Sequence, residues 1–297
     1  MFKVRVPATS ANLGPGFDCM GVALNLYITA EYEETDSGFV IEILDESRSY
    51  VPTDSNNLIY RACEMVFSKA GKTLSGIKVR VSSDIPVTRG LGSSSSGIVT
   101  GLVGANHILG EPFSKDELLC MAFELEGHPD NVTPALMGGF TVSFYDKQKI
   151  AHAKCEVSDN LRFGAMIPDF YLQTKKSRNL LPRYVSFRNA SYNISRASML
   201  SLAMERGDEK LLSLCFRDKI HQRYRFPYIK SGEYIIRTAR RAGALGAYLS
   251  GAGPTIMSVV SKDCTSFEYN MNELIKTNLK NWRLVMLEAD NVGAIIE

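Results

Sequence analysis

The segment that most constrains the fold is residues 7–26, PATSANLGPGFDCMGVALNL, which is polar and glycine-rich between two apolar, strand-like runs. Its glycines permit positive φ angles, and Pro15 fixes a turn among them. The chain must therefore bend sharply here. The short polar side chains of Asn12 and Asp18 could face a small polar ligand. From chemistry alone, an ordinary turn-rich surface loop remains an equal alternative.

The composition is that of a globular protein of one large domain or two medium ones, since 45% of the 297 residues are hydrophobic and 22% are charged. The 34 basic residues nearly balance the 32 acidic ones, which argues against nucleic-acid and membrane partners. The sequence has no apolar run long enough to span a bilayer and no signal-peptide pattern, and its six cysteines lack CxxC spacing. We therefore expect a cytoplasmic protein with reduced thiols.

The hydrophobic periodicity predicts an α+β fold in two domains, residues 1–155 and 156–297, because strands and helices mix without strict βαβ alternation. The division follows from the polar segment around residues 150–162, which lacks helical periodicity. The predicted strands are 2–7, 22–34, 38–44, 77–82, 139–145, 162–167, 247–249, 255–260 and 282–288. The predicted helices are 57–70, 93–109, 114–126 (with a capping box), 174–181, 194–206, 209–216, 232–242 and 266–279.

A second glycine-rich segment, PVTRGLGSSSS at 86–96, lies between a predicted strand and a predicted helix. Its backbone N–H groups, the positive end of the helix dipole and the serine hydroxyls could together bind a triphosphate. No GK[ST] follows, so it is not a Walker A loop. A flexible capped turn is the alternative. The candidate ATP-binding residues are Pro86, Val87, Thr88, Arg89, Gly90, Leu91, Gly92, Ser93, Ser94, Ser95 and Ser96.

The segment 124–131, ELEGHPDN, concentrates carboxylates, a histidine and an amide. Mg²⁺ prefers oxygen ligands, so we expect a site formed by Ser94 with Glu124, or by Ser93 with Glu126. At least one of these glutamates should lie on a solvated helix end. Asp130 could cap a helix over residues 131–137, or could act as a general base.

A third glycine loop, LSGAGPT at 249–255, permits close approach of the backbone to a ligand or to the first loop. A tight strand–turn–strand connection is the alternative, and the loop alone would not decide between them.

These four segments, in this order, resemble the motifs of the homoserine kinase branch of the GHMP small-molecule kinase family. The resemblance implies an N-terminal domain like the second domain of ribosomal protein S5 and a ferredoxin-like C-terminal domain. It also implies that ATP and Mg²⁺ bind over residues 86–96. The implied reaction is direct in-line phosphorylation of the L-homoserine hydroxyl, giving O-phospho-L-homoserine for threonine synthesis.

The resemblance also implies roles for individual residues. It assigns substrate contacts to Asn12, Asp18, His128, Asn131, Thr174, Arg178 and Arg225, and catalytic roles to Asp130, Asn131 and Arg178. Thr174 and Arg178 are four residues apart and should share a helix face. Many relatives have proline at the position of Arg223, so Arg223 competes with Arg225 for its role. His128 could instead be a structural histidine.

Several alternatives stay open at this point. In related mevalonate kinases an aspartate at the position of Asp130 is given the role of base, whereas direct transfer without a base is the other view for the homoserine kinase branch. The chain could act on mevalonate or a sugar, or could be a non-catalytic member of the fold that binds ligand. The sequence does not fix the oligomeric state, and a homodimer is compatible with it.

Overall fold

Two β-sheets with helices packed against them organise the chain, which the computed structural model describes over residues 1–297. The strands are β1 (Phe2–Ala11), β2 (Met20–Glu34), β3 (Phe39–Ile43), β4 (Ile77–Ser83), β5 (Phe140–Asp146), β6 (Lys149–Cys155), β7 (Leu161–Pro168), β8 (Gly246–Leu249), β9 (Ile256–Ser261), β10 (Trp282–Leu287) and β11 (Ile295–Ile296). The helices are α1 (Leu58–Lys69), α2 (Ser93–Ile108), α3 (Lys115–Glu126), α4 (Pro129–Met137), α5 (Thr174–Arg178), α6 (Phe187–Arg206), α7 (Glu209–Cys215), α8 (Gln222–Arg225), α9 (Gly232–Arg241) and α10 (Ser266–Asn278), and 3₁₀ turns occupy Glu46–Ser49 and Phe226–Tyr228.

The first sheet has seven strands in the order β11-β1-β2-β4-β3, and β5 pairs with both β2 and β6. Helices α2 and α4 pack on β1 and β2. Glycines in α2 permit this close packing: a Cβ at Gly101 would lie 2.5 Å from the Ile59 carbonyl oxygen, and one at Gly104 would overlap the Tyr32 ring. Segment 86–96 therefore leads into a helix that is held tightly against the sheet.

The second sheet has four antiparallel strands in the order β10-β7-β9-β8, with α9 and α10 packed on it. Strand β7 is followed by helices, the β8–β9 hairpin, α10 and β10, which is the ferredoxin-like arrangement. One continuous hydrophobic core includes Val6 of β1, Phe163 of β7 and Tyr248 of β8, so buried side chains link the two sheets.

The α+β fold class is confirmed, and the predicted elements lie within a few residues of the observed ones, with three corrections. Residues 149–155 form strand β6, where the sequence predicted no element, and α6 begins at Phe187 rather than at 194. His128, not Asp130, is the N-cap residue of α4, because Pro129 occupies the first helical position, where its missing N–H costs nothing. The division into domains at 155/156 stays a prediction.

No helix is both long enough and apolar enough to cross a membrane.

Candidate active site

A cavity of about 310 Å³ lies where the three glycine loops meet. Residues from loop 7–26, loop 86–96, the end of α3, the start of α4, and helices α5 and α8 line it. One end is mainly apolar and the other carries most of the charged groups. Most of the residues predicted from the first three motifs and from the arginine segments therefore line a single cavity.

The third glycine loop holds the other two loops in place. The Ser250 hydroxyl donates to the Gly90 carbonyl at 2.5 Å, and its oxygen lies 2.7 Å from the Ser10 hydroxyl, whose oxygen is 3.0 Å from that of Tyr248. The Gly251 backbone N–H donates to the Ala11 carbonyl at 3.1 Å. The loop is thus not a simple strand connection, since its polar groups fix the backbones of both ligand-facing loops.

Segment 86–96, the candidate phosphate loop, has the geometry expected of an anion site. Gly92, with φ +71°, precedes α2, and a Cβ there would overlap the Thr9 side chain, so only glycine fits. The helix N-terminus then faces the cavity and supplies unpaired backbone N–H groups and a partial positive charge. The loop residues on the cavity wall are Val87, Thr88, Arg89, Gly90, Gly92, Ser93 and Ser94, followed by Gly97.

Four residues of the predicted stretch do not line this cavity. Leu91 is buried in the hydrophobic core, and Pro86 lines a separate groove. The Ser96 hydroxyl donates to the Pro7 carbonyl at 2.8 Å, and the Ser95 hydroxyl donates to Glu126 at 2.9 Å. Their roles are to shape the loop.

Arg89 reaches the cavity wall, but its guanidinium turns away to donate to the Pro168 and Asp169 carbonyls at 3.1 and 2.7 Å. The side chain therefore ties the phosphate loop to the end of β7.

The two candidate magnesium carboxylates lie in different environments. Glu126 lines the cavity, and the hydroxyl of Ser94 donates to its Oε1 at 2.8 Å. Glu124 lies outside the cavity, half exposed, and pairs with Lys69 at 3.1 Å. Residues two apart on a helix point in nearly opposite directions, so only one glutamate can face the site. Of the two expected glutamates, Glu126 therefore lies at the cavity, bonded to Ser94 rather than Ser93, and Glu124 lies outside it. The choice of magnesium ligands stays a prediction.

Three side chains at the start of α4 form one hydrogen-bonded group. His128 Nδ1 lies 2.9 Å from Asp130 Oδ1, which also accepts from Asn131 Nδ2 at 3.3 Å. Asn131 Oδ1 accepts from the Thr9 hydroxyl at 2.7 Å. Burial lowers the pKa of His128, but the hydrogen bond and charge of Asp130, assisted by Glu126, outweigh it and raise that pKa above its ordinary value. The buried Asp130 thus orients both neighbours.

Arg178 and Asp18 form a bidentate ion pair at the charged end of the cavity. Arg178 Nη1 and Nη2 donate to the two Asp18 oxygens at 2.9 and 2.6 Å, and about one third of each side chain remains exposed. Thr174 shares the cavity-facing side of α5 with Arg178, as its spacing predicts. Asn12 bonds to backbone groups, donating to the Gly251 carbonyl and accepting from the Asp18 N–H at 3.0 Å each. Its side chain therefore shapes the loop.

Arg225 lines the cavity although only 1% of it is exposed, whereas Arg223 is exposed, stacks on Tyr224 and lies outside. Arg225 Nη1 donates to His221 Nδ1 and to the Gly251 carbonyl at 3.0 Å each, and its Nε is buried without a partner. Burial and the nearby Arg178 lower the pKa of Arg225 to about 10, so it is still a cation at neutral pH. Phe17 packs beside both Arg178 and Arg225.

Sequence reasoning missed the apolar end of the cavity. It is formed by Ile28, Ile43, Tyr50, Val51, Pro52, Asn57, Leu58, Ile59 and Val81. Sequence reasoning also missed His221, whose only signal is its position four residues before Arg225. The apolar residues come from separated strands, a loop and the start of α1, and no local pattern marks them as neighbours.

Comparisons with known proteins find similar sequences and a similar fold within one family. The family model for the GHMP kinases N terminal domain matches residues 57–139, and the model for the GHMP kinases C terminal region matches residues 200–263. A homoserine kinase of Clostridium beijerinckii is 42% identical over all of this chain and 98% of its own length, and one of Caldicellulosiruptor bescii is 42% identical over 100% and 97%. The crystal structure of homoserine kinase from Cytophaga hutchinsonii superposes with a TM-score of 0.90 at 26% identity, covering 100% of this chain and 97% of that one. The chain therefore belongs to the GHMP kinase family.

Proposed function

We propose that this protein transfers the γ-phosphoryl group of ATP to the hydroxyl of L-homoserine, which yields O-phospho-L-homoserine, the precursor of threonine. The observation that carries the proposal is full-length similarity to proteins named homoserine kinase. The cavity supports it independently, because two arginines and one aspartate lie beside an anion-binding loop. All six cysteines are free, which suits a reducing compartment, and we place the reaction in the cytoplasm.

The lining of the cavity favours one orientation of ATP. The apolar end, with Tyr50 and Val51, suits the adenine, and the Asn57 amide there donates to the Pro52 carbonyl at 2.6 Å and holds that loop. The N-terminus of α2 then meets the phosphates. The γ-phosphate would lie toward Ser94 and the charged end.

Mg²⁺ suits the site formed by the Glu126 carboxylate and the Ser94 hydroxyl. A carboxylate and a hydroxyl are hard oxygen donors, and both line the cavity beside the helix N-terminus. No cluster of three or more His, Cys, Asp or Glu side chains occurs that could hold a metal ion. One protein carboxylate suits Mg²⁺, which commonly keeps waters and binds substrate phosphates. When bound, the ion would neutralise charge on the phosphate oxygens.

The charged end can hold an amino acid zwitterion. The α-carboxylate would bind between Arg178 and Arg225, since a guanidinium matches a carboxylate with paired hydrogen bonds. The α-ammonium would replace one of the two Arg178 N–H groups that now bond to Asp18, and Thr174 also lines this end of the cavity.

Replacing Arg225 with Met should raise the KM for L-homoserine at least about tenfold, whereas Arg223→Met should leave it unchanged.

The transfer itself depends on positioning. Asn131 and His128 lie on the cavity wall near the phosphate loop, where a substrate hydroxyl would meet the γ-phosphate. Asp130 already accepts two hydrogen bonds at one oxygen, so we assign it the orientation of these two side chains. Direct in-line transfer then needs no strong base, because phosphoryl transfer depends mainly on alignment and charge stabilisation.

The test is a coupled ADP-release assay with ATP, Mg²⁺ and a panel of acceptors: L-homoserine, mevalonate, galactose, L-serine and L-threonine. Turnover selective for L-homoserine is expected. Selective turnover of another acceptor would retain the kinase fold and reject the substrate. ATP binding without turnover on any acceptor would favour a non-catalytic member of the family.

A further inference from the structure

His221 is a buried histidine whose two ring nitrogens both have partners. Nε2 lies 2.8 Å from the Gly14 carbonyl, and Nδ1 lies 3.0 Å from Arg225 Nη1. A carbonyl only accepts and a guanidinium only donates, so Nε2 must carry the proton and Nδ1 must be bare. The surroundings therefore select one neutral tautomer that accepts a hydrogen bond from Arg225.

The groups around His221 keep the ring in place and neutral. Asp218 lies 3.9 Å from Nε2, but its oxygens accept from Asn193 Nδ2 at 2.7 Å and from the backbone N–H groups of residues 220, 221 and 222. The ring of Phe17 packs on the imidazole with centroids 5.1 Å apart. Complete burial lowers the pKa of His221, an effect that Arg225 reinforces against the opposing charge of Asp218.

We propose that His221 is a positioning residue for the substrate carboxylate. Its Nδ1 holds Arg225 so that the free N–H groups of the guanidinium face the charged end of the cavity. This inference rests on the proposed function for the identity of the carboxylate. His221 itself does not line the cavity, so it acts through Arg225 and does not touch the substrate.

The chemistry of the acceptor explains why a histidine suits this position. Both acceptors of Arg225, Nδ1 of His221 and the Gly251 carbonyl, are neutral, and the Nε of Arg225 has no partner. A carboxylate at position 221 would also hold the guanidinium, but it would neutralise its charge. A neutral imidazole fixes the direction of the side chain and leaves its positive charge for an incoming anion.

Two matched substitutions separate the two hydrogen bonds of His221. The amide oxygen of Asn can occupy the position of Nδ1, so His221→Asn keeps the acceptor for Arg225 and loses the contact with Gly14. The amide nitrogen of Gln can reach the position of Nε2, so His221→Gln keeps the contact with Gly14 and loses the acceptor. We would measure KM for L-homoserine, KM for ATP, kcat and the melting temperature of both variants.

We expect His221→Gln to raise the KM for L-homoserine about tenfold and His221→Asn to raise it less than about threefold, with the KM for ATP unchanged in both. An equal rise in both variants, a larger rise in the Asn variant, or a parallel rise in the KM for ATP would overturn the proposal. Each of those results would indicate that His221 only anchors the first loop at Gly14.

A second measurement does not depend on turnover. In the ¹⁵N NMR spectrum of the wild-type protein at neutral pH, the imidazole signal that disappears in His221→Asn should show a protonated Nε2 and a bare Nδ1. A protonated Nδ1 would overturn the proposal whatever the substrate is. If the wild type does not phosphorylate L-homoserine, the proposed function fails, whereas the spectrum still decides whether His221 accepts from Arg225.

Discussion

Replacing Arg178 with Ala gives the most informative test of substrate binding at the charged end of the cavity. A hydrogen bond to a charged group contributes about 1.5–3 kcal/mol. The structure reduces this gain, because Arg178 already pairs with Asp18 and the substrate must open that pair. Each side chain is about one third exposed, so solvent weakens the pair, and opening it costs about 0.5 kcal/mol. The net loss in Arg178→Ala is about 1–2.5 kcal/mol, a roughly 5- to 70-fold rise in KM for L-homoserine.

The assay is steady-state ADP release, with L-homoserine varied at saturating ATP and then ATP varied at saturating L-homoserine. Lys176→Ala is the matched control, since Lys176 is an exposed cation on the same helix but does not line the cavity. It should leave both KM values unchanged. Arg178→Lys keeps the charge but loses the fork, and should give an intermediate KM. An unchanged KM for L-homoserine in Arg178→Ala, or an equal rise in both KM values, would refute the reasoning.

Three further predictions concern Glu126, Asp130 and His128, which lie beside the proposed phosphate site. Glu126→Gln should lower kcat/KM by at least about tenfold and raise the Mg²⁺ concentration needed for half-maximal rate. Glu124→Gln should alter neither quantity. If both variants lose the same kcat/KM in a Mg²⁺ titration, Glu126 is not the magnesium ligand. Asp130→Asn preserves an acceptor for its neighbours and should lower kcat by less than about 100-fold; a larger fall with unchanged KM would instead identify a general base. The raised pKa of His128 means that the folded state binds a proton more tightly than the unfolded state. The unfolding free energy should therefore fall as pH rises from about 6.5 through that raised pKa, and denaturant titrations of Asp130→Asn should lack this fall; the same slope in both proteins would contradict it.

Local patterns predicted most of the secondary structure because the physical signals are local. The capping box of Ser114 and Glu117 forms as its spacing predicts, and the Asn57 side chain caps α1. Strand β6 was missed because most of its residues are polar or half exposed, so it lacks an apolar run. The pattern of a proline at the first helical position would have identified His128, rather than Asp130, as the N-cap of α4.

The charged end of the site was predictable only through family resemblance, and the apolar end was not predicted at all. Tyr50 and Asn57 lie close together in the sequence. Ile28 and Val81, which line the same end of the cavity, lie far from them in the sequence, on β2 and β4. Sequence alone also could not decide which of Arg223 and Arg225 enters the cavity, because that depends on how α8 packs. Likewise, the choice of Glu126 over Glu124 depends on which side of α3 faces α2.

The hydrogen bonds of the third glycine loop make the two substrate affinities interdependent. Ser250 holds the Gly90 carbonyl beside the proposed phosphate site, while the Gly251 carbonyl accepts from Arg225 at the charged end of the cavity, where we propose that the amino acid binds. A ligand that orders either end therefore orders a backbone shared with the other. By thermodynamic reciprocity, ATP should change the affinity for the amino acid by the same factor as the amino acid changes the affinity for ATP.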